Sequence, residues 1–195
     1  MSKLKKDFYL QQDVVMIARE LLGKLLVTKF NGHITSGIIT ETEAYNGVVD
    51  KASHAYGNRR TKRTEIMYHR GGVAYVYLCY GIHSLFNVVT NEKDIPHAVL
   101  IRSVKPMDGI KWMQQRRDGR KISANVEGPG NVSKVLGIHY SHTGLDLCGN
   151  SIWIEDAVHV EEKDMMITPR IGVDYAGEDA LLPYRFVFSQ KKEKR

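Results

Sequence analysis

SGIITETEAY, residues 36–45, starts as a β-branched, apolar segment and ends in two carboxylates and a tyrosine. Because β-branched residues favour extended backbone, the segment is predicted to enter the core as a strand. Residues i, i+2 and i+4 of a strand line one face, which places Glu41, Glu43 and Tyr45 together among apolar neighbours. Carboxylates on a half-buried face are costly for folding. The segment therefore indicates a candidate site as well as a strand.

The residues before this strand predict a hairpin preceded by a helix. LLVTKF, residues 25–30, is a second strand candidate, and Asn31-Gly32 suits a two-residue turn leading into HITSGIITETEA. Upstream, Asp13 is the predicted N-cap of a helix through VVMIARELLGK, which Gly23 ends.

The rest of the chain carries further strand and helix signals without a repeat or a clean linker. Residues 46–72 are long for a structureless loop and are predicted to be partly helical or functional. We predict an α+β fold, one mixed domain over residues 1–195, with a largely antiparallel, curved sheet flanked by helices and a solvated basic tail at 190–195. The remaining predicted segments are two strands within 72–90 broken near Gly81, a strand at 97–106, a helix in GIKWMQQRRDG ended by Gly119, a helix in GPGNVSKVLGI capped by Asn131 and ended by Gly137, and late strands in SIWIEDAV and LPYRFVFS.

Composition limits the class of protein. The chain has 195 residues, 43% hydrophobic and 26% charged, which is typical of a globular domain. Its net charge of +6 is compatible with nucleic acid or another acidic partner. The N-terminus lacks the apolar core of a signal peptide and no apolar run is long enough to span a membrane, so a cytoplasmic location is expected. Cys79 and Cys148 form no CxxC motif, and HExxH is absent, so no metal site is expected.

Two groups of side chains suggest binding. Four basic residues fall within five positions, and Lys51 and His54 precede them. They can be a solvated loop or a clamp on phosphates. Tyr75, Tyr77 and Tyr80 lie in one predicted strand, where they can fill the core or bind a flat ring. The four clustered basic residues are Arg59, Arg60, Lys62 and Arg63.

The tyrosine spacing separates two of these rings. Tyr77 and Tyr80 are three residues apart, so they point to opposite faces of a regular strand. Tyr77 is expected to face Tyr45 and the glutamates, whereas Tyr80, beside Gly81 at a turn, is expected to project outward. An aromatic side chain on a hairpin tip is well placed to wedge between stacked bases.

Glu43 requires a partner if it is buried and ionised. Burial alone raises the pKa of a carboxyl group and protonates it. Arg102, in the apolar strand HAVLIRSV, is the natural partner that would keep Glu43 ionised. A purely structural ion pair is the alternative.

These motifs together resemble a known family. ETEAY, ASHAYGNRRTKR, YVYLCYG, Asn87 and VLIR are similar in order and spacing to the alkyladenine (3-methyladenine) DNA glycosylase family. GPGNVSKVLGI and RIGVDYAGEDALLPYRF are also similar to it, so the resemblance runs from about Asp13 to Phe188. The resemblance implies a bacterial member with a protruding β-hairpin that inserts into DNA.

The resemblance implies a role for each matching residue. Glu43 matches the general base that deprotonates the attacking water, and Arg102 matches the arginine that helps to hold this water. Tyr80 matches the side chain intercalated into the duplex, and Asn87 matches the residue whose amide excludes normal guanine. The residues that match the stacking and contact positions around the flipped base are Tyr45, His54 and Tyr77.

The implied activity is base excision repair. The enzyme would flip 3-methyladenine, 7-methylguanine, hypoxanthine or etheno-adenine out of double-stranded DNA and hydrolyse the N-glycosidic bond. It would be monofunctional, without lyase activity, metal or cofactor, and it would act as a monomer in the cytoplasm, on the nucleoid when bound to DNA. The basic cluster 59–63 would hold the bent backbone.

Two other functions compete with this interpretation. The first is a non-catalytic, basic nucleic-acid-binding module that uses the same loop and exposed aromatics. The second is a metal-dependent hydrolase built on Glu41, Glu43, Asp50 and His54.

Overall fold

The structure is a computed structural model that describes residues 2–189. The predicted basic tail at 190–195 lies outside the described residues. The strands are β1 Leu25–Phe30, β2 His33–Tyr45, β3 Val73–Cys79, β4 His83–Thr90, β5 His97–Pro106, β6 Val126–Glu127, β7 Ile152–Glu155, β8 Met165–Thr168 and β9 Arg185–Phe188. The helices are α1 Lys6–Tyr9, α2 Val14–Glu20, α3 Ile110–Gln115 and α4 Pro129–Leu136.

The described strands form one sheet in the order β3-β4-β5-β2-β1-β7. β6 extends from β5, and β9 joins β2 and carries β8. Every pairing between these strands is antiparallel. The sheet bends at two register shifts between β2 and β5, because a bulge increases local twist. The predicted α+β fold with a curved antiparallel sheet is confirmed.

Strand β2 is the central strand of the site. β5 lies along one edge of it, whereas the other edge pairs first with β1 and then, at residues 41–43, with β9. The hydroxyl of Thr42 donates to the carbonyl of Ala18 in α2 at 2.7 Å, so this helix covers the face opposite the glutamates. Both faces of the predicted strand are therefore buried, and not one face only.

Several local predictions are confirmed. Asn31 and Gly32 have φ values of 51° and 77°, as a two-residue hairpin turn requires. The carboxylate of Asp13 accepts hydrogen bonds from the first turn of α2, at 2.8 Å from Val15 N and 3.1 Å from Met16 N. The segment 46–72 is partly helical, with 3₁₀ turns at Gly47–Val49, Tyr56–Asn58 and Glu65–Tyr68.

The predicted start of α4 is wrong. The helix begins at Pro129 directly after Gly128, and Asn131 lies inside its first turn. Proline suits this first position because the amide it lacks would have no helical partner there. The side chain of Asn131 instead donates to the carbonyl of Glu127 at 2.9 Å. The predicted end at Gly137 is confirmed, since this glycine has φ 71°.

The main core lies between the sheet and the helices α2 and α4. Its fully buried side chains include Leu21, Ile39, Phe86, Ile101 and Leu136. Each such side chain stabilises the fold by roughly 1.5–3 kcal/mol. Within residues 2–189, no helix combines the length and apolar character needed to cross a membrane.

Candidate active site

The end of β2 brings the predicted face together. Arg102 Nε lies 3.0 Å from Glu41 Oε1, and Arg102 Nη1 lies 3.4 Å from Glu43 Oε2. The hydroxyl of Tyr45 donates to Glu43 Oε2 at 2.9 Å. Glu41, Glu43 and Tyr45 thus share a face, and the predicted contact between Arg102 and Glu43 is present. One guanidinium bridges both carboxylates.

Glu41 and Glu43 have unequal partners. Glu41 Oε1 accepts from Arg102 and also from Arg185 Nε of β9 at 2.6 Å. Among residues 2–189, Glu43 forms no ion pair with a second arginine; besides the Tyr45 hydroxyl, the backbone N–H of Ile171 donates to its Oε1 at 2.8 Å. The charge of Glu41 is therefore compensated twice, whereas Glu43 depends on one long ion pair and two neutral donors.

The pKa of Glu43 reflects this imbalance. The side chain is 0% exposed, and burial raises its pKa above the ordinary glutamate value. Arg102, the Ile171 N–H and the Tyr45 hydroxyl lower the pKa, and Glu41 raises it further. Arg102 thus acts in the predicted direction, but it does not cancel the cost of burial.

A cavity of about 220 Å³ opens beside this pair of carboxylates. Glu43 lies behind its wall, and three groups that bond to Glu43, namely Tyr45, Arg102 and Ile171, face the cavity. The structure places every predicted base-contacting side chain around this space. The other lining residues that matter below are His54, Tyr75, Tyr77, Asn87 and Tyr175, with Tyr80 at the edge.

Three aromatic side chains form one wall. His54 Nδ1 lies 2.8 Å from the hydroxyl of Tyr75, and the His54 ring meets Tyr77 edge-on at 4.7 Å. The Arg63 guanidinium lies against His54, 3.1 Å from Nε2, and 4.9 Å from the Tyr77 ring centre. Burial, Arg63 and Arg59 lower the pKa of His54 to about 4, so the imidazole is neutral.

Asn87 is held rigidly in β4. Its amide nitrogen donates to the carbonyls of Tyr75 at 3.1 Å and Leu85 at 3.2 Å. A carbonyl oxygen can only accept, so the two contacts fix which end of the amide is the nitrogen. Asn87 therefore presents a side chain of defined orientation to the cavity.

The β3–β4 hairpin ends in an exposed aromatic residue. Tyr80 is 93% exposed. It has φ 51°, a left-handed conformation that occurs in tight turns, and Gly81 follows with φ 73°. Ile82, on the same turn, is 73% exposed. Tyr77, three residues earlier, is half-buried in the cavity wall, and Tyr80 lies at the edge of the same cavity. Tyr80 is exposed, as predicted, but it is a left-handed turn residue that follows β3 and does not lie on the opposite face of the strand.

The four clustered basic residues separate into different environments. Arg60 forms salt bridges with Glu65 at 2.7 Å and Asp94 at 2.8 Å, and its guanidinium lies over the ring of Tyr68. Arg59 and Arg63 line a groove of about 500 Å³ that shares His54 and Tyr175 with the cavity, and Lys51 joins them there. Lys62 is exposed outside this groove.

The residues considered for a metal site are not assembled into one. Asp50 forms a two-point ion pair with Arg170, at 2.5 Å and 2.9 Å, away from the glutamates. Glu41 is occupied by two arginines, and His54 contacts Tyr75. In the part of the chain from residue 2 to 189, no group of three His, Cys, Asp or Glu side chains is arranged to hold a metal ion.

The sequence did not reveal the contribution of the segment 170–185. Arg170, Ile171, Tyr175 and Arg185 contact the cavity wall or its carboxylates, yet each lies more than 100 residues from its partner on β2 or in the following loop. The sequence also predicts no specific role for Tyr75, because a buried tyrosine and a tyrosine of a binding site give the same pattern in a strand.

Comparison with known proteins gives one consistent result. A family model described as methylpurine-DNA glycosylase (MPG) matches residues 7–192. A protein of Chlamydia felis is 46% identical over 98% of this chain and 99% of its own length. Proteins of Bacillus licheniformis (45% identical, 94% of this chain, 91% of the relative) and Desulfitobacterium hafniense (41% identical, 95% of both) are similar over almost the same extent. Each of these three relatives carries the provisional name 3-methyladenine DNA glycosylase.

Proposed function

The chain belongs to the methylpurine-DNA glycosylase family and is therefore a DNA glycosylase of a repair family, and on that premise we propose that it hydrolyses damaged purines from duplex DNA. The proposed substrates are 3-methyladenine, 7-methylguanine, hypoxanthine and etheno-adenine. One observation carries the proposal: a buried, incompletely compensated carboxylate, Glu43, adjoins a cavity walled by aromatic rings. The product is an abasic site.

The base must first leave the duplex, because a stacked nucleotide cannot be attacked at C1′. Extrusion costs a few kcal/mol. Tyr80 supports this step, since its exposed ring at the hairpin tip can fill the gap and offset part of the cost. The neighbouring Ile82 adds apolar surface to the same tip.

The extruded purine then occupies the aromatic cavity. Tyr45, Tyr77 and neutral His54 supply π faces and edges, and the π electrons attract a cationic alkylpurine. The fixed amide of Asn87 excludes the exocyclic amine of normal guanine. A rigid wall discriminates better than a mobile one, because it cannot move aside for the wrong base.

Glu43 acts as the general base of the hydrolysis. A water held between Glu43 and Arg102 attacks C1′, its proton passes to Glu43, and the electrons of the N-glycosidic bond leave with the purine. The ionised carboxylate also stabilises the positive charge that develops on the sugar. The enzyme cannot work through a protonated Glu43, so the raised pKa defines an acid limb of activity.

The proposed enzyme is monofunctional. Lyase chemistry needs an amine that attacks C1′, and no lysine lines the cavity within the described residues. Lys51 lies in the adjoining groove with Arg59 and Arg63, where the three cations suit the phosphates that flank an extruded nucleotide. We propose that the enzyme acts as a monomer.

Base release from defined DNA tests this function. Duplexes carrying one hypoxanthine or one etheno-adenine, together with methylated DNA, are incubated with an excess of enzyme, with and without EDTA. Release that is insensitive to EDTA, with strand breaks only after alkali, is expected. Strand breaks before alkali would contradict monofunctional chemistry. Binding without release from any of these substrates would favour the non-catalytic nucleic-acid-binding module.

A further inference from the structure

The buried ion pair between Arg170 and Asp50 makes more contacts than the stability of the fold requires. The two side chains are 0% and 1% exposed and meet at two points, 2.5 Å and 2.9 Å apart. Desolvation of such a pair offsets most of its attraction, and apolar residues of the same size often stabilise a protein equally well. Arg170 Nε is also buried without a hydrogen-bond partner among residues 2–189, which adds a cost.

The pair joins three walls of the cavity. Arg170 Nη1 donates to the carbonyl of Ala44 in β2 at 2.9 Å, between Glu43 and Tyr45. Asp50 accepts from the backbone N–H groups of Asn46 at 3.1 Å and Ala52 at 2.9 Å, and so fixes the loop that leads to His54. Arg170 itself begins the segment that lines the opposite side.

Both neutral donors to Glu43 depend on Arg170. The N–H that reaches Glu43 Oε1 belongs to Ile171, the next residue in the chain. The hydroxyl that reaches Oε2 belongs to Tyr45, whose ring lies against the Arg170 guanidinium at 4.9 Å. Displacement of Arg170 would therefore loosen the two hydrogen bonds that favour the ionised carboxylate.

The charge of Arg170 is balanced by Asp50. The pair adds no net charge to a site that must accept a cationic purine, so it can position groups without repelling this substrate. Other titratable and charged groups also surround Glu43. They are Glu41 and Tyr45 on β2, Arg102 on β5, Arg185 on β9, and Tyr175 in the 174–181 segment.

We propose that Arg170, held by Asp50, is a positioning residue of the hydrolytic site that keeps the Ile171 N–H and the Tyr45 hydroxyl on Glu43. This inference rests on the proposed role of Glu43 as the base. Arg170 touches neither the substrate nor the water; it acts through the two donors. Without this positioning, the 3.4 Å contact with Arg102 is the main interaction among the described residues that opposes the effect of burial on Glu43.

The test is the pH profile of single-turnover base release. The Arg170→Met/Asp50→Leu double variant removes both charges together, and Arg170→Lys keeps the charge but cannot make the two-point contact. For both variants we expect the acid limb to move to higher pH and the plateau rate to fall about 10- to 100-fold, as small misplacements do. Affinity for lesion-containing DNA is expected to stay within about twofold of wild type, because no phosphate or base contact is removed.

Controls separate positioning from general destabilisation. Arg19→Met removes an arginine that pairs with Glu162 at 2.6 Å outside the cavity, and it is expected to leave the acid limb in place. If the double variant does not fold, the pH profile of base release by Arg170→Lys tests the proposal. A folded variant with a wild-type acid limb and plateau would overturn the proposal. Absence of base release by wild type would instead refute the function on which the proposal rests.

Discussion

Asp50, Glu41 and Glu43 are buried in and around the cavity wall, and they differ in how fully their negative charge is compensated by arginines. Asp50 has a two-point contact with Arg170, and Glu41 has two arginines, at 3.0 Å and 2.6 Å. Glu43 is the least exposed of the three, yet its only ion pair within the described part of the chain is 3.4 Å long. The fully paired carboxylates hold strands and loops together. The incompletely paired one is the proton acceptor in the proposed mechanism.

Charge-removing variants should separate the two kinds of carboxylate. Asp50→Asn leaves the Arg170 guanidinium buried without its counter-charge, so the free energy of unfolding is expected to fall by about 3–5 kcal/mol. Glu43→Gln removes a poorly compensated charge, and its free energy of unfolding at neutral pH is expected to equal or exceed the wild-type value. Urea unfolding monitored by circular dichroism measures both. Equal losses in the two variants would contradict the comparison.

The pH dependence of stability should show the same contrast. The pKa of Glu43 is higher in the folded than in the unfolded chain, so the folded state holds the proton more strongly. The resulting stability is fully present below the ordinary glutamate pKa and is lost as pH rises through the raised pKa. The melting temperature of Glu43→Gln relative to wild type is therefore expected to rise with pH across that window. A difference that is constant with pH would show that the Glu43 pKa is not raised.

Removal of Arg102 sharpens the comparison between the two glutamates. Glu41 keeps Arg185, but Glu43 loses the one ion pair that it forms among residues 2–189. In Arg102→Ala the acid limb of base release is expected to move upward by about one pH unit or more, together with a lower plateau rate. Single-turnover rates across pH measure this shift, with Arg60→Ala as the control. An unmoved acid limb in Arg102→Ala would argue against the coupling.

The same contrast exists among the arginines of the basic loop, with a smaller expected effect. Arg60 is paired with Glu65 and Asp94, whereas Arg63 lies on the rings of His54 and Tyr77 beside the groove. In Arg63→Met the slope of log affinity against log salt is expected to decrease by about one, as for one lost phosphate contact. In Arg60→Met the slope should stay at the wild-type value. Fluorescence anisotropy with duplex DNA at several salt concentrations decides, and equal slopes for the two variants would contradict the division of the cluster.

The local features of the fold could be predicted from the sequence. The Asn31-Gly32 turn and the end of α4 at Gly137 depend on positive φ values that few residues adopt, and the Asp13 cap depends on a short side chain that accepts hydrogen bonds from the first turn of α2. The predicted start of α4 at Asn131 is wrong because Pro129, the stronger signal, begins the helix. The sequence does not predict strands β6 and β8, because they are short and carry no clean alternation of polar and apolar residues.

The site was predictable only where its residues follow strand alternation. Glu41, Glu43 and Tyr45 share a face because a strand has a period of two, and Tyr75 and Tyr77 line the same cavity for the same reason. Arg170 and Ile171 could not be placed, since their contacts with β2 are made by the folded chain across more than 100 residues. The salt bridge between Arg60 and Asp94 is likewise a tertiary contact that no local sequence pattern predicts.

The most direct test of the central claim is the rate of base release by Glu43→Gln. Hypoxanthine or etheno-adenine release from a duplex is measured in single turnover, with Glu162→Gln, an exposed glutamate paired with Arg19, as the matched control. Loss of a positioned general base is expected to lower the rate by roughly 10²- to 10⁴-fold in Glu43→Gln, with DNA affinity retained and Glu162→Gln at the wild-type rate. Release by Glu43→Gln at the wild-type rate would contradict the assignment of Glu43 as the base.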